Sequence, residues 1–331
     1  SDKALSIAPE DGLAYVFKGE ASFKKSNLQE SLEHFKQAVQ YVPHLPEPWL
    51  GLVKAYRSTG QAEKVIDTLK EAIQAAPLSY EVHFTLGEEY LANGEQTQAC
   101  MLFQRAYELV TVANRQTGEY YWKICLRLGQ TLLQLGHLLQ AHEVLDKAYN
   151  QASTSGYILP ELAIAYAKTL LALNKIAQAV PVLREAMRNE PQDSFPYLDY
   201  VKALLETGSD PQEAVRVAQL ALERDAGLLE AHALLAEALS ASGDHTNALK
   251  AFQIALETEL SKDRKWVARL SYGMGCSALA LDYIAAAIAA LQEAIHAEPS
   301  ILAFHQKLCE AYWAANLYNI AIQAARSTFN L

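Results

Sequence analysis

The chain has 331 residues, only 15 Gly and 11 Pro, an abundance of Ala, Leu, Glu and Gln, and a formal net charge of −10. That composition favours helix throughout. No run approaches 18 uncharged apolar residues, which speaks against a membrane span, and the acidic balance speaks against nucleic acid, whose phosphates call for a basic stripe. The four cysteines, Cys100, Cys125, Cys276 and Cys309, lie far apart in helical patterns with no CxxC or His-rich cluster. They read as buried thiols of a reducing cytoplasm rather than as zinc or disulfide frameworks.

Taken in order, residues 1–11 (SDKALSIAPED) read as the tail of a second helix, with Ala4 and Pro9 closing a repeat that begins upstream. From Gly12 a pattern recurs: a large residue, a Leu-Gly-like pair and an aromatic at helical spacing, a breaker, then a small residue and an aromatic at helical spacing. The first copy carries Tyr15, Gly19, Ser31, Phe35, Ala38 and Pro43; the second carries Trp49, Leu52, Tyr56, Leu69, Ala72 and Pro77. The third, Tyr80 to Thr111, is the best formed, with His83, Leu86, Gly87 and Tyr90, the breaker Asn93-Gly94, then Ala99, Phe103 and Ala106. These copies keep a 34-residue period, which chance matches do not hold three times running.

The register then slips. Residues 114–121 (NRQTGEYY) are extra, and read either as added helical turns with a longer loop or as an element protruding from one edge. A fourth copy starts near Trp122, with Leu128, Gly129, Leu132, Ala141 and Leu145. A fifth spans roughly 160–193 and a sixth roughly 194–227, where Asp210-Pro211 suits an N-cap followed by a first helical position. A seventh carries His232, Leu235 and Phe252, an eighth Met274, Gly275 and Leu291, and a ninth His305, Leu308 and Tyr312. The final stretch IAIQAARSTFNL is apolar where a terminal repeat normally shows a polar outer face, so a further segment or another chain is expected to cover it.

On these residues the chain resembles a tetratricopeptide repeat (TPR) protein, whose signature is W-x2-L-G-x2-Y, A-x3-F and P over 34 residues. Here His83 stands in the Trp slot and Thr111 in the Pro slot of the best copy. The resemblance implies an all-α fold, a right-handed superhelical solenoid of about nine antiparallel helix pairs. Residues 12–113 would be three regular repeats, 114–121 an insertion, and 122–331 six less regular repeats, the last incomplete. It also implies a non-catalytic scaffold or adaptor that binds a protein or peptide along the concave face of the first helices. Two further readings are a docking arm of a larger enzyme, and a structural array self-associating through unsealed ends.

Counting from the pattern, the groove candidates are Glu20, Phe23, Lys54, Arg57, Phe84, Glu88, Arg127, Gln130, Lys168, Lys202, Glu237, Tyr272, Glu310 and Trp313, with Val16, Leu50 and Cys276 beside them. Trp313 reads either as an aromatic anchor or as a side chain packed under a further helix. The family's carboxylate clamp uses Lys and Asn on these faces, and no Asn occupies the matching positions. No cofactor, metal site or catalytic group is expected. His137 and His142 have the wrong spacing for one metal on one helix, Gly273-Met274-Gly275 lacks a strand or phosphate loop, and Glu88-Glu89 reads as a solvated face. His83, His232 and His305 read as packing residues.

Overall fold

The computed structural model describes residues 11–113, 118–156, 159–188, 191–258 and 263–328. Readings that fall on residues 1–10, 114–117, 259–262 and 329–331 lie outside them. Eighteen α-helices and no strand occur among the described residues. They are α1 (Gly12–Lys24), α2 (Leu28–Tyr41), α3 (Pro46–Ser58), α4 (Glu63–Ala75), α5 (Tyr80–Ala92), α6 (Gln96–Val112), α7 (Glu119–Gln134), α8 (Leu138–Thr154) and α9 (Pro160–Ala172). There follow α10 (Ile176–Met187), α11 (Phe195–Thr207), α12 (Pro211–Arg224), α13 (Leu229–Ala241), α14 (His245–Glu257), α15 (Arg264–Ala280), α16 (Ile284–Ala297), α17 (Leu302–Ala314) and α18 (Tyr318–Thr328). The protein is an all-α array of helical hairpins. It forms two compact units, residues 1–169 and 170–331. Among the described residues no helix is long and apolar enough to cross a membrane.

Local chemistry sets the helix ends. Asp11 caps α1 by accepting from the backbone N–H groups of Leu13 and Ala14, at 3.1 and 3.2 Å. Asp210 caps α12 through the Glu213 N–H, with Pro211 in the first turn, as its sequence suggests. Within a hairpin, one left-handed residue reverses the chain. Gly94 (φ 80°) does so between α5 and α6, and the Glu95 N–H returns to the Tyr90 carbonyl at 2.8 Å. Two helices joined by so short a turn must run antiparallel.

In the first unit, the fully buried rings of Phe35 and Phe103 fill the seams, each burial contributing roughly 1.5–3 kcal/mol. Phe35 is gripped on two sides. Gly19 of its own hairpin would place a β-carbon 2.8 Å from the ring, and Gly51 of the next hairpin would place one closer still. In the second unit Phe252 meets Gly273 of the following hairpin in the same way. Gly51 and Gly273 each precede the Leu-slot residue of a first helix, and there a small residue lets an aromatic pass between two hairpins. The Gly87 position is a close approach within one hairpin, where its neighbour is the Phe103 ring of the second helix.

The large-residue slot has a polar duty besides packing. The Trp49 indole N–H donates to the Pro43 carbonyl at 2.8 Å, His232 Nε2 lies 2.9 Å from the Ala226 carbonyl, and His305 Nε2 lies 2.7 Å from that of Pro299. A carbonyl only accepts, so each Nε2 carries its proton. Each ring ties a first helix to the loop six residues back. His83 instead bonds through Nδ1 to the Ser79 carbonyl at 2.8 Å.

Candidate partner-binding groove

The first helices of successive hairpins touch one another, α1 with α3 and α3 with α5 in the first unit, α11 with α13, α13 with α15 and α15 with α17 in the second. Every groove candidate lies on the first helix of a hairpin: Glu20 and Phe23 on α1, Lys54 and Arg57 on α3, Phe84 and Glu88 on α5, Arg127 and Gln130 on α7, Lys168 on α9. In the second unit Lys202 lies on α11, Glu237 on α13, Tyr272 on α15, and Glu310 and Trp313 on α17. All of them are half-buried or exposed. Val16 is not among them: it is 5% exposed and packs in the core with Phe35 and Leu52. Its side chain belongs to the apolar cluster shared by the first hairpins, which withdraws it from the surface.

Glu20, Phe23 and Lys54 share one cleft of about 380 Å³ between α1 and α3, with Lys24, Glu47, Leu50 and Gly51 also lining it. The ammonium of Lys54 sits 4.4 Å from the centre of the Phe23 ring, a cation–π contact that leaves both side chains along the cleft. Phe35 forms part of the lining because Gly51 carries no side chain to cover it. The cleft therefore offers apolar area bordered by charges of both signs, Glu20 and Glu47 with Lys24 and Lys54.

Elsewhere most of the candidate charges are paired, one with another candidate and the rest with neighbours outside the candidate set. Arg127 Nε reaches Glu88 at 2.9 Å and its guanidinium meets Gln130 at 3.3 Å. Arg57 Nε donates to Glu89 at 2.8 Å. The reading of Glu88-Glu89 as a solvated face is thus corrected: both carboxylates bind arginines of neighbouring first helices. In the second unit Lys202 Nζ lies 2.7 Å from Glu230, and Arg269 grips both oxygens of Glu237 at 2.6 and 2.8 Å. Glu310 pairs with Lys307 one turn away. Hydrogen bonding to Glu237 comes first among the causes that raise the Arg269 pKa. Sequence reasoning missed Glu230 and Arg269, and gave Glu89 no partner. A usable signal existed, since Arg57–Glu89 and Glu237–Arg269 are each 32 residues apart, while Glu88–Arg127 is 39 apart across the inserted segment.

The aromatic candidates are also engaged. Tyr272 stacks on Phe304 at 4.7 Å, and Trp313, 61% exposed, meets Tyr318 edge-on at 4.9 Å. Phe84 touches Phe103 beneath it and Tyr120 beside it. Tyr120 belongs to the segment that breaks the sequence register. In the structure α6 runs for 17 residues and α7 begins at Glu119, so Tyr120 and Tyr121 stand in the first turn of α7. Lys168 is half-buried on α9.

Comparison with known proteins places these features in context. Residues 22–79 match the model of the tetratricopeptide repeat family. The chain is 24% identical over 199 residues to a Tonsoku-like protein of Bos taurus, an alignment that takes in 57% of this chain and 14% of that protein. Among solved structures it is similar to Pseudomonas aeruginosa pilF, with a TM-score of 0.54 and 15% identity over 68% of this chain and 97% of that one. It is likewise similar to YrrB, described as a TPR protein with an unusual peptide-binding site, with a TM-score of 0.50 and 16% identity over 59% and 93% of the two chains. The resemblance to both is one of fold.

Proposed function

We propose that the chain, whose residues 22–79 match the tetratricopeptide repeat family and whose fold is similar to that of solved members, is a non-catalytic scaffold which holds a segment of a partner protein against its first helices. The observation that carries this reading is the cleft between α1 and α3. There Phe23 and Leu50 offer half-buried apolar surface between Glu20 and Lys54, beside a backbone opened by Gly51. An extended or helical segment gains by covering such apolar area, and it gains orientation from the flanking charges. YrrB, which shares the fold, is described as having a peptide-binding site.

The test is a panel of peptides selected from a random display library on the whole chain, then measured by fluorescence polarisation. Binding should fall at least about tenfold with Leu50→Glu, and should persist with Leu139→Ser, which alters an exposed leucine on the second helix α8. Equal binding by wild type and Leu50→Glu overturns the assignment of this cleft.

A second reading, self-association, draws on one observation. Trp313, Leu317, Tyr318, Ile320 and Ile322 are all exposed on α17, α18 and the turn between them. A concentration of exposed apolar side chains at one place in the chain is a mark of interaction sites. Light scattering over a concentration series checks it, and a monomer at every concentration removes it.

A further inference from the structure

The segment that breaks the repeat register builds something the regular repeats lack. Tyr120, in the added first turn of α7, lies 5.6 Å from the ring centres of both Tyr80 and Phe84 on α5. Its plane is inclined by 67° to the first and 60° to the second, so the rings form a corner rather than a stack. Tyr120 is 40% exposed, while Tyr80 and Phe84 are half-buried. Glu81 follows Tyr80 on the same turn, and its carboxylate accepts a hydrogen bond from the Ser79 hydroxyl at 2.8 Å. No cation pairs with Glu81 among the described residues, whereas further along α5 Glu88 is paired with Arg127 and Glu89 with Arg57. Tyr80 and Glu81 also line a cleft of about 600 Å³ together with His44, Glu47 and Leu78, while Phe84 and Tyr120 lie outside its lining.

We infer that Tyr80, Phe84, Tyr120 and Glu81 form a subsite for a lysine or arginine side chain of the bound protein segment. The inference deepens the scaffold reading and rests on it. Aromatic faces attract a cation through their quadrupole, most strongly where water is partly excluded. Glu81 supplies a carboxylate for the charged head, with Glu47 across the cleft as a second acidic group. Leu78, exposed in the lining of that cleft, suits the apolar stem of a long basic side chain. Burial, followed by the charge of Glu81, holds the Tyr120 phenol well above its ordinary pKa, so the ring stays neutral and its hydroxyl remains a donor. An anionic or purely aliphatic residue would meet Glu81 and Glu47 without compensation.

The experiment uses the whole chain and peptides selected on it from a random display library. Selected peptides should carry a fixed Lys or Arg, and replacing that residue by Gln should weaken binding to wild type about tenfold. On Glu81→Gln the Lys-to-Gln replacement should make little difference, because the carboxylate that reads the charge is gone. Glu81→Gln keeps the side chain's shape, so it serves even where Tyr120→Ala fails to fold. Peptides that Leu50→Glu weakens but that show no basic preference, or whose basic preference survives Glu81→Gln, overturn the subsite and leave the scaffold reading intact. A library that yields no peptide sensitive to Leu50→Glu overturns the groove itself, and this subsite with it.

Discussion

Arg269 on α15 holds both carboxylate oxygens of Glu237 on α13, at 2.6 and 2.8 Å, and so clamps one hairpin to the next. The planar fork of the guanidinium matches the carboxylate, and both side chains are only about a third exposed (39% and 28%). A double-mutant cycle with Arg269→Ala and Glu237→Ala should give a coupling of about 1 kcal/mol, read from chemical denaturation. The coupling should shrink in high salt, since the pair is partly screened by solvent.

The close approach at Gly87 predicts a packing penalty. A β-carbon there would lie 2.6 Å from the Phe103 ring, which is fully buried and cannot retreat into solvent. Gly87→Leu should cost about 1–3 kcal/mol in denaturant unfolding. Combining it with Phe103→Leu should recover part of that loss, because the two changes act on one contact. An additive pair would mean that the two residues do not meet.

His83 predicts a pH dependence. Burial, ahead of the opposing Ser79 carbonyl and the added repulsion of Arg105, pushes its pKa below the ordinary value of 6.5. The neutral imidazole is therefore the folded form, and as pH falls through 6.5 the unfolded chain takes up the proton first. Stability should decline on acidification from that point and level off below the folded pKa. The difference in unfolding free energy between wild type and His83→Asn, followed from about pH 8 to about pH 5, isolates this contribution. A difference that does not vary with pH would remove it.

The cysteines predict an order of reactivity. Burial pushes the Cys125 thiol up to about 12, and the half-buried Cys100, Cys276 and Cys309 are raised by the same cause. The thiolate is the reactive species. In the folded protein at about pH 8, a thiol reagent should modify Cys125 last, at the rate of unfolding, as peptide mapping over time would show. Early labelling of Cys125 would contradict its place in the core.

Much of the fold was legible in the residue pattern, because the forces that make a hairpin act over short distances. The spacing of His83, Leu86, Gly87 and Tyr90 places them on successive turns of one helix, and Asn93-Gly94 ends it. The groove candidates were legible as positions: each sits on a first helix and reaches the surface, except Val16 among the residues beside them. What they touch was not. Reading Arg57 against Glu89 requires the stacking offset between hairpins, and reading Arg127 against Glu88 requires knowing how the inserted segment is absorbed.

The sequence by itself determined a chain of helical hairpins, since a 3.6-residue period, small residues at close approaches and left-handed turn residues are all local instructions. Tertiary structure alone decided that Gly51 admits Phe35 from the preceding hairpin, that Glu88 and Glu89 are held by arginines, and that Tyr120 meets Tyr80 and Phe84. The physical reason is that these contacts depend on the rotation and rise between stacked hairpins, which are set by the summed packing of whole interfaces rather than by any single residue.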